Sequence, residues 1–346
     1  IAVFPELAIT GYPPQDLLLE KSFVDRNVQK LEALTSVVDH VPMVVGYVQP
    51  IGKNLYNSAA LLQNGEISGR YDKVLLPTYD VFDEDRYFTP GEKRFPLKAK
   101  IGKKTIFLGV EICEDMWDKD YTCKVTDELV DAGAEIILNI SSSPFSEGKF
   151  CERERLIKGH VDRCRVPFLY CNLVGGQDEL IFDGNSIAYS ANGKRIAAAT
   201  SFKEEMVIVD LDSDEEIGHN NLSREEELFA ALTLGISDYF RKTGHSKCVI
   251  GLSGGIDSAL TACLAKEALG EENVLCVSMP SRFSTQHSKD DAKELAENLG
   301  VEYRVLAIGE LASVYETTFD SHFDGMARDI TEENIQAPIR GNFLMA

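Results

Sequence analysis

Three side chains with complementary chemistry stand beside predicted strands in the first third of the chain. Glu6 and Lys73 each end a strand-like run, and Cys113 directly follows the apolar run Ile106–Ile112. Hydrolysis of an amide by a thiol requires a nucleophile, a base that takes its proton and a cation that stabilises the oxyanion. Each residue alone indicates little, because a single cysteine is usually structural and a single Glu or Lys is usually solvated. Together they predict a centre for amide hydrolysis.

A second group of chemically significant residues lies in the last third of the chain. The sequence SGGIDS, Ser253–Ser258, stands between a predicted strand and a predicted helix. Glycines let backbone N–H groups approach a phosphate, and the helix N-terminus adds positive potential. The carboxylate of Asp257 can hold a magnesium ion that bridges phosphate oxygens. The segment is neither a Walker loop nor GxGxxG, so it predicts a phosphate site of another class.

The flanking sequences of both groups resemble known families. SGGIDS resembles the pyrophosphate loop of the ATP pyrophosphatases. The sequences FPELAITGYPPQDLL, KVLLPTYDVFDEDRYFTPG and GVEICEDMW resemble the glutaminase domain of the carbon–nitrogen hydrolase (nitrilase) superfamily, and this likeness covers residues 1–211. The combination of the two domains, with SMPSRFS and TEENIQAPIRGN, resembles the glutamine-dependent NAD⁺ synthetase family.

This resemblance implies a role for each matching residue of the first domain. Cys113 matches the nucleophile, Glu6 the general base and Lys73 the oxyanion partner, and Glu84 matches a second glutamate that supports the lysine. Further matching residues are expected to bind the substrate glutamine: Tyr79, Ser143, Lys149 and, with weaker support, Tyr12 and Glu114.

The resemblance also assigns residues in the second domain. The residues expected to hold ATP phosphates are Gly251, Leu252, Ser253, Gly254, Gly255, Ile256, Asp257 and Ser258. Asp257 would bind Mg²⁺, and Asn334 falls in the segment that binds deamido-NAD⁺. Pro338 stands where the family usually has arginine, and proline costs about 3 kcal/mol inside a helix unless it lies in the first turn. The implied activity is a carbon–nitrogen ligase that uses glutamine as amido donor.

The composition limits the classes of molecule that the protein is expected to bind. The chain has 346 residues, with 35 Lys and Arg against 56 Asp and Glu, a net charge of −21. Such an acidic chain is a poor general binder of nucleic acid or anionic membranes, so we expect small-molecule substrates only. No apolar run is long enough to span a membrane, and eight scattered cysteines indicate reduced thiols in the cytoplasm. The family resemblance adds an expected homo-oligomer.

Strand and helix signals predict two α/β domains. In residues 1–211, strands are mixed with helices and with hairpins at Asn64-Gly65 and Asn192-Gly193, which indicates a layered sandwich. The last predicted strand there is Met206–Leu211. Residues 212–222 are acidic and polar and are predicted to form a linker. From 223 to 346 the order β-α-β-α-β predicts a parallel sheet.

Together with the resemblance, these signals give the expected fold class. It is a nitrilase-like αββα sandwich followed by a doubly wound domain of the adenine nucleotide alpha hydrolase type. Because the chain starts at Ile1 within a strand-like run and stops at Ala346 within a helical one, both ends are expected to be cut and the second domain truncated.

Two other functions fit part of the sequence. A tRNA-modifying pyrophosphatase would carry SGGIDS, but it would need a basic RNA surface that a charge of −21 disfavours. A catalytically dead nitrilase-like scaffold would not need Glu6, Lys73 and Cys113 together. Arg153, with Arg155 and Arg163 on the same predicted helix, is expected to form a solvated or oligomer face rather than a phosphate site.

Overall fold

The structure is a computed structural model, and it describes residues 1–213, 215–218, 222–320, 322 and 334–346. It divides into two compact units, Ile1–Ala231 and Leu232–Ala346. The division falls within a helix, whereas the sequence places the linker at 212–222, and that boundary stays a prediction. Within the described residues, no helix combines the length and apolarity that crossing a membrane requires.

The first unit contains two main sheets. Its strands, in chain order, are β1 (Ala2–Val3), β2 (Met43–Ile51), β3 (Asn54–Gln63), β4 (Glu66–Asp72), β5 (Leu97–Ile101), β6 (Lys104–Ile112), β7 (Ile136–Ser141), β8 (Phe168–Asn172), β9 (Val174–Gln177), β10 (Leu180–Asp183), β11 (Ile187–Tyr189) and β12 (Arg195–Ala198). Among the described residues, one sheet has the order β1-β2-β3-β4 and the other β12-β11-β8-β7-β6-β5, while β9 pairs with β10. In the larger sheet β6, β7 and β8 are parallel.

The helices of the first unit cover the outer faces of these sheets. They are α1 (Lys21–Thr35), α2 (Val125–Asp131) and α3 (Lys149–Cys164). The main core joins Ala59 and Leu61 of one sheet to Val110 and Ile112 of the other, so the two sheets pack face to face. Leu31 of α1 packs on the opposite face of the smaller sheet. The layers are therefore α, β, β and α, as expected.

The second unit begins within α4 (Arg224–Thr243) and contains a parallel sheet. Its elements are β13 (Cys248–Gly251), α5 (Ile256–Leu269), β14 (Val274–Ser278), α6 (Gln286–Leu299), β15 (Glu302–Val305), α7 (Gly309–Asp320) and α8 (Gln336–Met345). The strands are parallel in the order β13-β14-β15. One apolar cluster includes Ala262 of α5 and Ala296 of α6, and another includes Ala312 of α7 and Ile339 of α8. The doubly wound prediction is confirmed.

Local signals in the sequence account for several element boundaries. The Ser223 N–H donates to Glu226 Oε2 at 2.8 Å, and the Glu226 N–H donates to Ser223 Oγ at 3.3 Å. This reciprocal pair is the capping box that the sequence predicts at the start of α4. Pro338 is the third residue of α8, within its first turn. No intrahelical hydrogen bond is lost there, because the first four N–H groups of a helix have no partner within it.

The predicted strand Met206–Leu211 is wrong. These residues are extended without strand pairing, and Met206 and Ile208 are 87% and 88% exposed. The edge of β12 is instead taken by Ile217, whose N–H donates to the carbonyl oxygen of Arg195 at 2.7 Å. An apolar run alone does not make a strand, because the segment must also pair along the edge of a sheet.

Candidate active site

The three predicted catalytic side chains stand at strand exits of the two packed sheets of the first unit. Glu6 follows β1, Lys73 follows β4, and Cys113 follows β6 and begins a short 3₁₀ helix, Cys113–Met116. Glu6 and Lys73 are fully buried, and Cys113 is 5% exposed. The αββα architecture therefore brings residues separated by more than a hundred positions into one buried region.

Lys73 lies between two carboxylates. Its ammonium donates to Glu6 Oε1 at 2.7 Å and to Glu84 Oε1 at 2.7 Å. Burial alone would lower the pKa of Lys73, but Glu6 and Glu84 raise it well above its usual value, so the ammonium stays charged. Burial raises the pKa of Glu84 to about 7, although Lys73 opposes the shift. The Tyr12 hydroxyl donates to the same Glu84 oxygen at 2.9 Å.

Glu6 is fixed through both of its carboxylate oxygens. Oε1 accepts from Asn57 Nδ2 at 2.7 Å as well as from Lys73, and Oε2 accepts from the backbone N–H of Ser142 at 2.8 Å. The Ser142 hydroxyl donates to the Glu6 carbonyl oxygen at 3.0 Å. The sequence did not point to Asn57 or Ser142, although Ser142 lies in NISSSPF, which resembles the family. The carboxylate is thereby held in one orientation.

Cys113 has an unusual backbone and a buried thiol. Its φ is +44°, in the left-handed region that non-glycine residues rarely adopt. Burial raises the pKa of the Cys113 thiol well above its usual range, the charge of Glu6 raises it further, and Lys73 lowers it. The thiol is therefore protonated at rest, and it lies close enough to Glu6 and Lys73 to respond to both charges.

Another buried carboxyl group lies two residues before Cys113. Glu111 on β6 is fully buried, and its two oxygens accept from Asn139 Nδ2 at 3.0 Å and from Thr126 Oγ1 at 2.9 Å. Burial raises the pKa of Glu111 to about 8, although these hydrogen bonds oppose the shift. The sequence did not mark Glu111 as a candidate site residue, since it lies within the predicted strand Ile106–Ile112, whose residues were expected to belong to the apolar core.

The predicted glutamine-binding residues do not all share one hydrogen-bond network. Glu114 Oε2 accepts from the Tyr79 hydroxyl at 2.9 Å, and Oε1 accepts from Tyr121 at 3.1 Å. Tyr79, Glu114 and Tyr121 line a cavity of about 730 Å³ together with Trp117. The Lys149 ammonium lies 4.1 Å from the centroid of the Trp117 ring.

Ser143 belongs to a different network. It is buried, and its backbone N–H donates to Asn172 Oδ1 at 2.9 Å, while Asn172 Nδ2 donates to its carbonyl oxygen at 3.3 Å. The structure thus brings together Tyr79, Glu114 and Lys149 around one aromatic wall and holds Ser143 through its backbone.

The expectation of a solvated arginine face on α3 is wrong for Arg153. This side chain is 1% exposed, and its guanidinium donates to Asp183 Oδ1 at 2.7 Å. Acidic neighbours in sequence suggested solvation, but the partner carboxylate belongs to the last residue of β10, thirty positions away along the chain. Arg163 is half-exposed and pairs with Asp127 at 2.9 Å, as a surface residue would.

In the second unit, the SGGIDS segment forms the turn between β13 and α5. Gly254 has φ +83°, and a Cβ there would lie 2.1 Å from the carbonyl oxygen of Ser288, so only glycine fits. The hydroxyls of Ser253 and Ser258 lie 3.0 Å apart, and Ser258 Oγ donates to the Gly255 carbonyl at 2.9 Å. The first N–H groups of α5, from Ile256, have no partner within the helix.

The remaining predicted ligand residues of this unit are exposed. Asp257 stands exposed in the first turn of α5, and Asn334 is exposed just before α8. In the stretches that the structure describes, no cluster of three or more His, Cys, Asp or Glu could hold a metal ion. Residues 331–333 of the predicted deamido-NAD⁺ segment lie outside the described residues. Arg340 donates to the Met279 carbonyl oxygen at 3.2 Å, beyond the end of β14.

Comparisons with known proteins match each part of the chain to a family. The carbon–nitrogen hydrolase family model matches residues 1–217, and the NAD synthase family model matches residues 228–346. The glutamine-dependent NAD(+) synthetase of Synechocystis sp. is 43% identical over an alignment of 363 residues, gaps included, and the match covers 99% of this chain and 64% of that protein. The enzyme of the same name from Thermotoga maritima is 41% identical over 386 residues, and the match covers 100% of this chain and 66% of that protein.

A solved structure supports the same family relationship. The glutamine-dependent NAD⁺ synthetase of Acinetobacter baumannii, in complex with adenosine diphosphate, superposes with a TM-score of 0.91 at 36% identity and covers 99% of this chain and 65% of that one. The chain thus spans about two thirds of the length of the relatives it matches. The resemblance and the fold class expected from the sequence are confirmed, and the chain belongs to the carbon–nitrogen hydrolase family, with an NAD synthase domain following.

Proposed function

We propose that this protein is a glutamine-dependent NAD⁺ synthetase, a carbon–nitrogen ligase that takes ammonia from glutamine and uses it to amidate deamido-NAD⁺ at the expense of ATP. One observation carries the proposal. A buried, charged Lys73 lies between Glu6 and Glu84 and is electrostatically coupled to the Cys113 thiol, in a chain whose other unit holds the SGGIDS turn. Similarity to relatives of that name supports it.

The glutaminase reaction begins with proton transfer from Cys113 to Glu6. The raised pKa of the thiol means that little thiolate exists at rest, so a base must take the proton as the sulfur attacks. Sγ forms a bond to the side-chain carbonyl carbon of glutamine, and the Lys73 ammonium stabilises the oxyanion. When the intermediate collapses, the C–N bond breaks and Glu6 returns the proton to the leaving nitrogen, which departs as ammonia.

The second half of the glutaminase reaction reuses the same base. Glu6 takes a proton from water, the water oxygen attacks the thioester carbonyl, and the C–S bond breaks to release glutamate. The thiolate regains the proton. Glu84 acts through Lys73, from whose ammonium it accepts a hydrogen bond, and Tyr12 acts one step further back, because its hydroxyl donates to Glu84.

Glutamine enters by the cavity that Tyr79 and Glu114 line. A carboxylate such as Glu114 suits the α-amino group of the substrate, and the hydroxyls of Tyr79 and Ser143 with the Lys149 ammonium suit its α-carboxylate and amide. The cation–π contact of Lys149 with Trp117 leaves the ammonium beside the cavity wall. We assign substrate selection to this group.

The synthetase reaction uses the second unit. The turn from Gly251 to Ser258 holds the ATP phosphates, and the nicotinate carboxylate of deamido-NAD⁺ attacks the α-phosphorus, which releases pyrophosphate and forms an adenylate. Ammonia then attacks the acyl carbon, and AMP leaves. The solved relative binds adenosine diphosphate, which supports a nucleotide site in a protein of this fold. Asn334 is assigned to deamido-NAD⁺.

Mg²⁺ is the expected ion of this site, and it would neutralise phosphate charge. An exposed carboxylate at a helix N-terminus fits such an ion, which usually takes one or two protein carboxylates plus substrate phosphates. Asp257 would hold it. AMP formation by Asp257→Asn at the wild-type rate in limiting Mg²⁺ would contradict this assignment.

The remaining assignments follow from the same proposal. A cytoplasmic location fits the eight cysteines, all free in the structure, and homo-oligomerisation stays a prediction from the family resemblance. Neither assignment enters the mechanism above.

The decisive assay follows AMP from ATP and deamido-NAD⁺ with glutamine, with ammonium, or with neither. AMP and NAD⁺ in equal amounts, dependent on glutamine or ammonium, support the proposal. AMP formation that requires tRNA instead would favour the tRNA-modifying alternative. Failure to hydrolyse glutamine or to form AMP under any of these conditions would favour the inactive scaffold.

A further inference from the structure

A single buried carboxylate joins the segment that carries Lys73 to the segment that carries Cys113. Asp115 is fully buried in the 3₁₀ helix that Cys113 begins. Its Oδ1 accepts from the backbone N–H groups of Val74 at 3.0 Å and Leu75 at 2.8 Å.

The other oxygen of Asp115 binds one donor from the segment of Cys113 and one from β4. Oδ2 accepts from the backbone N–H of Ile112 at 3.0 Å and from the Tyr71 hydroxyl at 2.9 Å. Four donors thus meet one carboxylate, which has about four lone-pair sites. Asp115 uses its whole hydrogen-bonding capacity within the two segments.

These bonds connect the exits of two different sheets. Tyr71 lies on β4, and Val74 and Leu75 follow Lys73 beyond the end of that strand, whereas Ile112 ends β6. The strand ladders fix positions within each sheet, and the apolar core between the sheets is not directional. Asp115 fixes the two exits to each other by direct hydrogen bonds to the backbone on both sides.

The distance between the Lys73 ammonium and the Cys113 thiol matters to the chemistry. An oxyanion donor must lie about 3 Å from the developing charge, and a misplacement of about 1 Å can cost about 10²-fold in rate. The left-handed backbone of Cys113, at φ +44°, also depends on its neighbours, because nothing in a cysteine side chain favours it. The Ile112 N–H held by Asp115 is the anchor directly before it.

An amide could not replace this carboxylate. Asn has one acceptor oxygen, and its NH₂ group would face two donors from the other segment. Burial raises the pKa of Asp115 to about 6, and the hydrogen bonds from Ile112 and Leu75 oppose the shift, so the group is mainly ionised at pH 7.

We propose that Asp115 is a positioning residue that sets Lys73 against Cys113 for amide hydrolysis, an inference that rests on the proposed glutaminase. It contacts neither substrate nor thiol in this role. Its effect reaches the reaction through the backbones of the two strand exits.

The test compares Asp115→Asn, Tyr71→Phe and the control Gln63→Ala. Gln63 is also buried and also joins two strands, since its side chain donates to the Lys100 carbonyl oxygen at 2.9 Å and accepts from its N–H at 3.1 Å. Gln63 lies at one end of the ladder between β3 and β4, and the pair Ser58 and Asp72, next to Lys73, lies at the other end. All three are assayed for glutamine hydrolysis and thermal unfolding.

Site-resolved alkylation of Cys113 by iodoacetamide gives a readout that does not depend on glutamine. We expect Asp115→Asn to lower kcat by about 10²-fold with KM within about threefold, and to slow alkylation of Cys113 by about tenfold. Tyr71→Phe removes one of the four bonds and should lower kcat by a smaller factor. Gln63→Ala should lose thermal stability with kcat unchanged.

Several outcomes would contradict the positioning role of Asp115. A kcat in Asp115→Asn equal to that of Gln63→Ala, or a raised KM with unchanged kcat, would overturn the inference. If Asp115→Asn does not fold, an unchanged kcat in Tyr71→Phe would overturn it. If the wild-type protein does not hydrolyse glutamine, the proposed function fails, and an unchanged alkylation rate in Tyr71→Phe would separately overturn the positioning role.

Discussion

The ammonium of Lys73 donates to Oε1 of Glu84 at 2.7 Å, and both side chains are shielded from solvent. Burial raises the pKa of Glu84 to about 7, while the two carboxylates around Lys73 keep the lysine charged. A fixed cation in a site without bulk water stabilises a developing oxyanion far better than a solvated one would. The pair therefore supports the proposed role of Lys73 as the oxyanion partner.

Replacement of Lys73 by arginine should lower glutamine turnover by about 10²–10³-fold. Guanidinium is larger and planar, so it cannot place one N–H donor where the ammonium lies between Glu6 and Glu84. Loss of one oxyanion donor typically costs that factor. The measurement is kcat for glutamine hydrolysis well below the unfolding temperature, which circular dichroism establishes for each variant.

Lys98→Arg is the matched control for this change. Lys98 is exposed, with its ammonium 5.7 Å from the centroid of the Phe107 ring, and it lies on β5 rather than at a strand exit. It should keep wild-type turnover. Near-normal turnover in Lys73→Arg, or a loss that only follows unfolding, would remove Lys73 from the catalytic assignment.

Glu111→Gln should change how the stability of the first unit depends on pH. With a folded pKa of about 8 against an ordinary value of 4.5, folded Glu111 keeps a proton between these pH values that the unfolded chain has lost. Its contribution to the free energy of unfolding therefore falls as pH rises through this window, by at most about 1.4 kcal/mol per pH unit, and is constant above about pH 8.

The measurement is urea unfolding from pH 5 to 9, followed by tryptophan fluorescence. Trp117 is the one tryptophan of the sequence, and it reports on the first unit. The free energy of unfolding of the wild type minus that of Glu111→Gln should fall between pH 5 and 8 and then level off. A difference that is independent of pH, or that rises, would show that Glu111 is ionised when folded.

Two neighbouring glycines of the SGGIDS turn should respond differently to alanine. Gly254 has φ +83° and a Cβ there would lie 2.1 Å from the Ser288 carbonyl oxygen, whereas Gly255 has φ −92° and its Cβ would meet only Ser253 Oγ, at 3.3 Å. The left-handed backbone alone costs about 1–2 kcal/mol for alanine. Gly254→Ala should thus displace the turn, and Gly255→Ala is its control.

Hydrogen–deuterium exchange measures this effect without reference to activity. Gly254→Ala should speed exchange in Cys248–Ser258 and in Gln286–Leu299, the helix that carries Ser288. Gly255→Ala should change exchange in these segments much less. Equal effects of the two substitutions would contradict the close approach of the turn to α6.

Local signals were enough to predict most elements of the fold. The Asn64-Gly65 turn located the hairpin of β3 and β4. Met206–Leu211 is also an apolar run and was predicted wrongly: it has no strand partner, and at the edge of β12 the Ile217 N–H donates to the carbonyl oxygen of Arg195. Pairing depends on the whole sheet, which a local pattern does not describe.

Residues of the candidate site were predictable where a chemically reactive side chain comes at the end of a strand-like apolar run. Glu6, Lys73 and Cys113 were marked by residue type and by the apolar runs before them, and their roles stay predictions. Asn57 and Asp115 were not marked, since an amide or a carboxylate within ordinary flanks looks solvated in sequence. Their partners lie 51 and about 40 positions away, so only the packed sheets reveal what they bind.

The central claim is that glutamine chemistry at Cys113 feeds a separate synthetase reaction. The direct measurement is AMP and NAD⁺ formation from ATP and deamido-NAD⁺ by Cys113→Ala, with glutamine or with ammonium as nitrogen source. The account predicts that glutamine no longer supports the reaction while ammonium supports it at the wild-type rate, because Cys113 lies in the unit without the SGGIDS turn. Equal loss with both nitrogen sources, or unchanged synthesis from glutamine, would contradict it.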